Sequence, residues 1–145
     1  MGLFSFLKGS GDKEIDTAAE NRANAQTLIN TVKSYGFEVD NLDVIITGET
    51  ATVWGEAVDQ ATREKVLLTV GNTKGIANVD DKMTTKASAP EAKMHTVVSG
   101  ESLSKIAKKY YGDAMKYNVI FEANQPTLKD PDKIYPGQVL RIPEL

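Results

Sequence analysis

Along the first ninety residues, the spacing of hydrophobic residues alternates between the 3.6-residue period of a helix and the two-residue period of a strand. Thr17–Glu20 has the spacing of a capping box, in which a hydroxyl and a carboxylate each cover a free amide at a helix start. The apolar residues that follow share one helical face at i, i+3, i+4 and i+7: Ala25, Leu28, Ile29 and Val32. Tyr35-Gly36 then predicts a left-handed helix end, since glycine adopts that conformation freely.

A strand period follows the first predicted helix. Leu42, Val44 and Ile46 alternate with Asp43 and Ile45. The turn residues Thr47–Thr50 separate this run from a second one, Ala51–Gly55. Two such runs joined by a short glycine-containing turn predict a β-hairpin.

A second helix and a final strand complete this half of the chain. Asp59 is the predicted N-cap of a helix through Val70 that is closed by Gly71. One side of this helix carries Thr62, Val66, Leu67 and Val70. The last strand, Ile76 to about Thr84, brings Val79 and Met83 together with the acidic Asp81. The order helix, hairpin, helix, strand predicts a small sheet backed by two helices.

The amino-terminal segment, Gly2–Lys8, is apolar and is followed by Gly9-Ser-Gly11. It predicts at most two helical turns, and a helix of that length is unstable alone. We therefore expect Leu3, Phe4 and Leu7 to dock on the helix and sheet unit that follows.

The last third of the chain contains two short apolar strands that bracket two short helices. Three motifs stand out: S-G-[DE]-[ST]-L at Ser99–Leu103, A-N-Q-P at Ala123–Pro126, and Y-P-G-Q-x-L-x-I-P at Tyr135–Pro143. This segment closely resembles a LysM domain across Met94–Pro143. The resemblance implies a βααβ fold, and domains of this family usually bind polymers of N-acetylglucosamine.

The first half resembles a second family less closely. Its motifs are V-G-N-x-x-G-I-x-x-V-D-D at Val70–Asp81 and a loosely spaced G-x-A-x-V-x-G-x-V at Gly48–Val58. They are similar to those of BON domains, over roughly Ala23–Thr85. The predicted fold class is therefore α+β with two small domains, a BON-like helix/hairpin/helix/strand sandwich and a βααβ LysM domain. The predicted boundaries are an apolar segment at 1–22, the BON-like domain at 23–85, a linker at 86–93 and the LysM domain at 94–145.

Composition narrows the classes of partner. Residues 1–90 carry a net charge of −4 and residues 91–145 a net charge of +1, so neither half has the basic surplus of a nucleic-acid binder. The chain has no cysteine, which excludes disulfides and thiolate metal sites. The apolar start is too short for a signal peptide, and no segment is long enough to span a bilayer. We expect a cytoplasmic monomer without stable membrane insertion.

Enzymatic chemistry has little support in the sequence. His95 is the only histidine and lies on a predicted strand, where a surface or half-buried structural role is expected. Asp80-Asp81 lacks the alternating acidic loop of a calcium site. A solvated edge or a helix-facing charge pair is the expected role of these two acids. The aromatic residues of the last third recur at helical spacing, which predicts core packing: Tyr110, Tyr117 and Phe121.

Two glycine-containing loops follow predicted helices, and helix ends leave carbonyl oxygens unpaired. The loops are Leu7–Asp12 and Gly71–Ile76. Brought together, their carbonyls would replace the hydration shell of a large monovalent cation, as channel filters do. The alternative is that both loops are ordinary caps and turns.

The whole chain resembles the family of bacterial potassium binding proteins, which joins a short apolar start, a BON-like domain and one LysM domain. The resemblance implies selective potassium binding through main-chain oxygens, with a conformational change, in a sensor or buffer that is not an enzyme. The expected ligand carbonyls are those of Leu7, Ser10, Asp12, Gly71, Thr73 and Ile76.

Two other functions remain open. The LysM resemblance implies a groove for a peptidoglycan fragment, between the loop after the first strand and the loop after the second helix. Its expected residues are Gly100, Glu101, Ser102, Leu103, Asn124, Gln125, Pro126 and Thr127. A phospholipid contact through Phe4, Phe6 and Leu7 is the third hypothesis, and the net acidic charge of that half disfavours it.

Overall fold

The computed structural model describes the backbone of residues 2–5 and 18–145, and side chains from Arg22 onwards. The chain divides into two compact units, with the boundary between Ala89 and Pro90. The elements described in the first unit are β1 (Gly2–Ser5), α1 (Ala18–Ser34), β2 (Val39–Thr47), β3 (Thr50–Asp59), α2 (Gln60–Gly71) and β4 (Asn78–Ala87). The α+β class is confirmed.

The first unit contains a four-stranded sheet in the order β1-β4-β3-β2. β2 and β3 form the predicted antiparallel hairpin. β3 and β4 are parallel and are joined through α2, as parallel neighbours require a crossover connection. β1 pairs antiparallel with β4 at the opposite edge from β2.

The prediction of a short helix at Gly2–Lys8 is wrong, because Gly2–Ser5 is a strand. Phe4 stands opposite Val79 and Ser5 opposite Asn78 in the register with β4. The edge of β4 offers a row of backbone donors and acceptors, which satisfies a short segment better than an isolated helical turn does. The predicted docking of the Leu3, Phe4 and Leu7 side chains, like the Thr17 cap, lies outside the described residues.

Both helices pack on the same face of the sheet, α1 against β2 and α2 against β3 and β4. The buried residues on that face of the sheet are Val44, Ile46, Ala51, Val53, Ala57, Val79, Asp81 and Met83. The opposite face is more open, since Ile45 and Trp54 remain partly exposed. All of these positions except Asp81 are apolar, so this charged side chain needs a partner inside the unit.

Local signals explain most element ends. The Asp59 carboxylate accepts the Thr62 amide at 2.8 Å, which confirms it as the N-cap of α2. Gly36 has φ +79° and ends α1 in the left-handed region. Gly71 is the last helical residue rather than the residue beyond the end, and Asn72 is the C-cap.

Gly55 marks a close approach between strands. Its φ is +147°, and a Cβ there would lie 2.7 Å from Val39 Cγ1 and 3.3 Å from the Asp40 carbonyl oxygen. The register of β2 shifts between Asp40 and Asp43. The glycine therefore accommodates a bulge in β2.

The second unit has the βααβ order expected of LysM domains: β5 (Lys93–Thr96), α3 (Leu103–Tyr111), a 3-10 turn (Ala114–Lys116), α4 (Tyr117–Ala123) and β6 (Val139–Ile142). β5 and β6 pair antiparallel. The buried core consists of Val97, Leu103, Ile106, Ala107, Ile120, Leu128, Leu140 and Ile142. Tyr110, Tyr117 and Phe121 pack against it, as predicted.

The connection between the units is shorter than the predicted linker at 86–93. β4 continues through Lys86 to Ala87, and β5 already begins at Lys93. Lys86 Nζ lies 2.8 Å from Asp40 Oδ2. Among residues 18–145, no helix is long and apolar enough to cross a membrane.

Candidate ion-binding and glycan-binding sites

The Gly71–Ile76 loop is a compact turn whose amide groups bond back into the protein. The amides of Asn72 and Thr73 donate to the carbonyls of Leu68 and Val70 at 2.8 and 3.2 Å. The Ile76 amide donates to the Thr73 carbonyl at 3.1 Å. These three amides are satisfied within the turn and the end of α2, and the partial negative charge of a helix C-terminus favours a cation there.

Side chains add to the rigidity of this turn. The Thr73 hydroxyl donates to the Thr69 carbonyl at 2.8 Å. Gly75 has φ +94°, a backbone conformation that glycine adopts without strain. Ile76 is buried, with 4% of its surface exposed. The turn is thus held at both ends before any ligand binds.

The β2–β3 hairpin turn is attached to the exit of the same loop. The Glu49 carbonyl accepts the amides of both Ala77 and Asn78, at 2.8 and 3.1 Å. Parallel pairing also places Thr50 opposite Asn78. The hairpin turn and the Gly71–Ile76 loop therefore lie at one end of the sheet.

β1 ends at the same place. Ser5 stands opposite Asn78, two residues beyond Ile76 along the chain. Leu7, Ser10 and Asp12, the other expected ligand positions, lie outside the described residues. Within the described ranges, no group of three or more His, Cys, Asp or Glu side chains is arranged to hold a metal ion.

Asp81 forms the helix-facing charge pair that was one of two expectations for Asp80-Asp81. Both Nε and Nη2 of Arg63 donate to Asp81 Oδ2, at 3.1 and 2.5 Å. Asp81 Oδ1 accepts the Met83 amide at 2.9 Å. The exposed fractions of the two side chains are 17% for Arg63 and 3% for Asp81. This pair ties α2 to the centre of β4.

In the LysM unit, the loop after β5 is fixed by a buried histidine. His95 is 7% exposed, so it is more deeply buried than the sequence suggested. Its Nε2 lies 2.8 Å from Glu101 Oε1 and its Nδ1 lies 2.9 Å from the Tyr110 hydroxyl. Because an ionised carboxylate only accepts, Nε2 donates to Glu101, and Nδ1 shares a hydrogen bond with the Tyr110 hydroxyl. The Val98 amide also donates to Glu101 Oε1, at 2.9 Å.

These contacts affect the pKa of Glu101. Burial alone would raise this pKa, but hydrogen bonds from His95 and from the Val98 amide lower it below the ordinary value of 4.5. A carboxyl with a depressed pKa stabilises the fold fully above its unfolded pKa, and this contribution is lost as the pH falls through the folded value.

We therefore expect acid to destabilise the LysM unit through Glu101. Below about pH 4.5, the melting temperature of the wild type should fall more steeply with pH than that of Glu101→Gln, which has no charge to lose. Near-ultraviolet circular dichroism of tyrosine reports on this unit, because four of the five tyrosines lie in it. Parallel pH profiles for the two proteins would contradict the assigned role of Glu101.

The other residues expected to bind a glycan lie partly on the surface and partly in the core of the LysM unit. Gly100, Ser102, Gln125 and Pro126 are exposed. Ser102 is the N-cap of α3 and accepts the Lys105 amide at 3.2 Å. Leu103 belongs to the core, and the Thr127 hydroxyl donates to the Asn124 carbonyl at 2.9 Å.

The Asn124 side chain is engaged inside the unit. Its Nδ2 donates to the carbonyls of Ile120 and Arg141, at 2.7 and 3.0 Å. Its Oδ1 accepts the Arg141 amide at 2.9 Å. Asn124 is 4% exposed and thus joins α4 to β6, so a glycan in the groove would meet its exposed neighbours instead.

The roles of three residues in the first unit were not identified from sequence. Glu49 reads as an ordinary turn residue, and Arg63 as an exposed helical cation. Glu64 is 2% exposed and accepts Gln60 Nε2 at 2.9 Å. The i, i+4 spacing of Gln60 and Glu64 was the available signal for their contact, but the spacing does not indicate that both are buried.

Comparison with known proteins defines the class and then the family. The LysM domain family matches residues 95–143, so the second unit is a LysM domain. The chain is 45% identical over 148 residues to the potassium binding protein Kbp of Escherichia coli O6:H1, covering 99% of each chain. It belongs to the family of that protein.

More distant relatives share parts of the chain. An uncharacterised protein of Deinococcus radiodurans is 33% identical, over 94% of this chain and 56% of the relative. An endolysin of Bacillus phage B103 is 31% identical over 90 residues, which is 62% of this chain and 31% of the endolysin.

Proposed function

We propose that this protein binds a potassium ion through backbone carbonyls at one end of the sheet in its first unit. The ligands are those of Gly71, Thr73 and Ile76, together with Leu7, Ser10 and Asp12. The observation that supports the proposal is the Gly71–Ile76 turn, in which three amides are bonded within the turn and the end of α2, where the helix dipole favours a cation. The 45% identity to a protein named for potassium binding supports the same ligand.

The position of β1 supports the second half of the ligand set. Ser5 lies beside Asn78, and Leu7 follows two residues later, a reach of about 7 Å at most. α1 packs against β2, and only a short turn separates the end of α1 from the start of β2, so the two run in opposite directions. The start of α1 at Ala18 therefore lies at the same end of the sheet as the β2–β3 hairpin turn. The connection between Ser5 and Ala18 therefore begins and finishes near the Gly71–Ile76 loop.

Backbone carbonyls suit potassium better than a divalent ion. Potassium is large and weakly hydrated, so neutral carbonyl dipoles replace its water. Magnesium and calcium prefer carboxylates, and the described residues offer no carboxylate cluster of that kind. We infer a cytoplasmic, monomeric sensor or buffer without enzymatic activity, whose conformation changes when the ion binds.

Titration calorimetry in potassium-free buffer tests the ion and its selectivity. We expect saturable heat with potassium chloride, and only heat of dilution with sodium or lithium chloride, because those smaller ions hold their water more tightly. A flat potassium titration would rule out the proposed function.

A second candidate is supported by the LysM match. Gly100, Ser102, Gln125 and Pro126 are exposed and available to a peptidoglycan fragment, and His95 fixes the loop that carries the first two. Retention on insoluble peptidoglycan, lost in a variant with Gly100→Asp and Gln125→Ala, would favour this candidate. Passage through the column with the potassium response intact would contradict this second candidate.

A further inference from the structure

We propose that the face of the first unit's sheet opposite its helices docks a basic, arginine-containing segment of a partner protein, centred on Trp54. Helices α1 and α2 pack on the other face of this sheet. Ile45 and Trp54 are large apolar residues of the hairpin strands, and both are exposed. None of the proposed potassium ligands belongs to this face, so the inference does not rest on the potassium site.

The two exposed apolar side chains are diagonal neighbours across the β2–β3 pair. Asp43 stands opposite Trp54 in the register. Ile45 stands opposite Thr52, one side-chain repeat further along the same face. Val53 is buried between Thr52 and Trp54, which therefore both point away from the core. Diagonal neighbours in a sheet are about 7 Å apart, within reach of an aromatic ring, so Ile45 and Trp54 form one apolar patch.

The charge around this patch is mainly negative. Strand alternation places four carboxylates and two lysines on this face in β2, β3 and β4, and β1 adds no ionisable side chain. Four carboxylates against two ammonium groups give a net charge of −2. The charged residues are Asp40, Asp43, Glu56, Asp80, Lys82 and Lys86.

Most of these carboxylates are not neutralised by a lysine. Lys86 Nζ lies 2.8 Å from Asp40 Oδ2. The pKa of Lys86 is raised above its ordinary value by the hydrogen bond to Asp40 and by its charge, and to a smaller extent by the charge of Glu56. Within the described residues, no salt bridge joins Asp43, Glu56 or Asp80 to a cation. The surface therefore attracts a positively charged partner.

Arginine in an extended chain fits this surface better than a small cation does. Its planar guanidinium stacks on an indole ring and pairs with a carboxylate, and Asp43 lies directly opposite Trp54. Alternate side chains of an extended segment are about 7 Å apart, which equals the diagonal spacing on the sheet. An arginine over Trp54 and an apolar residue over Ile45, two positions away, can therefore bind together.

Fluorescence of Trp54, the single tryptophan, tests this docking in the full-length protein. The probe is a short peptide of alternating arginine and leucine, compared with peptides that carry lysine or glutamate in place of arginine. We expect a saturable change in emission with the arginine peptide and none with the glutamate peptide. The lysine peptide should bind about two- to fivefold more weakly, because its ammonium lacks the planar stacking of guanidinium.

Substitutions on the face identify the contacts. Asp43→Asn and Glu56→Gln should each raise the Kd for the arginine peptide about twofold to threefold, as expected for one charge at roughly 6 Å in water. Ile45→Thr should also raise the Kd, since it removes apolar surface and leaves the charge unchanged. Glu122→Gln is the matched control, because Glu122 is an exposed acid of the LysM unit. Its Kd should equal that of the wild type.

Three results would overturn the inference. An unchanged Trp54 emission with the arginine peptide would show that the face does not bind it. Equal Kd values for Glu122→Gln and Asp43→Asn would mean that only the overall charge attracts the peptide. A blue shift of Trp54 emission on concentrating the protein alone would assign the face to a second copy of this chain.

Discussion

Deleting residues 2–11 should abolish the potassium-specific stabilisation of the protein. The deletion removes β1 and, with it, the carbonyls of Leu7 and Ser10. A ligand that binds only the folded state stabilises it by RT ln(1 + [L]/Kd), about 2.7 kcal/mol at one hundred times the Kd. The intact protein should therefore melt higher in potassium chloride than in sodium chloride, and the truncated protein should melt at the same temperature in both.

A smaller deletion distinguishes the loop from the strand. Removing Gly9-Ser-Gly11 leaves β1 in the chain, so the melting temperature in sodium should stay close to that of the wild type. The potassium-specific increase should still disappear, because the shortened connection loses the Ser10 carbonyl. An undiminished potassium effect in both deletions would place the site elsewhere.

Asp81→Ala should strongly destabilise the first unit. The Asp81 carboxylate is buried and accepts hydrogen bonds from Arg63 and from the Met83 amide. Removing one partner of a buried ion pair leaves the other uncompensated, which costs about 3–5 kcal/mol. That is a large part of the stability of a small domain, typically 5–15 kcal/mol. Urea unfolding followed by fluorescence of Trp54, the single tryptophan, measures the loss.

Two further variants identify the cause of that loss. Asp81→Asn retains an oxygen for the Met83 amide and should lose less stability than Asp81→Ala. Asp40→Ala breaks the Lys86–Asp40 pair, whose side chains are 52% and 60% exposed, and should have no measurable effect. If Asp40→Ala and Asp81→Ala shifted the urea midpoint equally, burial of the Asp81–Arg63 pair would not explain the loss of stability.

The order and type of most elements followed from local chemistry. Asp59 begins α2 through its side chain, and Gly36 ends α1 through its backbone conformation. Both signals can be recognised in the sequence because neither depends on a distant residue. The alternation around Val44 and Ile46 marks the buried face of the hairpin, because the sheet has one face on the core. The LysM unit was recognised in the same way, from motifs that stay close together in the chain.

The conformation of Gly2–Ser5 could not be predicted from the neighbouring sequence. Four residues with apolar side chains only at Leu3 and Phe4 are compatible with a helical turn or a strand, and the free edge of β4, more than seventy residues later, decides between them. The same applies to Asp81, whose sequence context fitted a solvated edge or a charge pair. Only the packing of α2 on β4 brings Arg63 to it.

For the candidate site, the sequence by itself indicated a turn over Gly71–Ile76, because a helix end leaves its last carbonyls without intrahelical partners through local rules alone. The net negative charge of the first half and the LysM motifs of the second half were also evident from the sequence. Only the tertiary structure decided that Glu49 contacts the residues directly after that loop and that β1 ends beside the same residues, at Ser5. These are contacts between distant parts of the chain, and they depend on strand order and register, which local propensity does not specify.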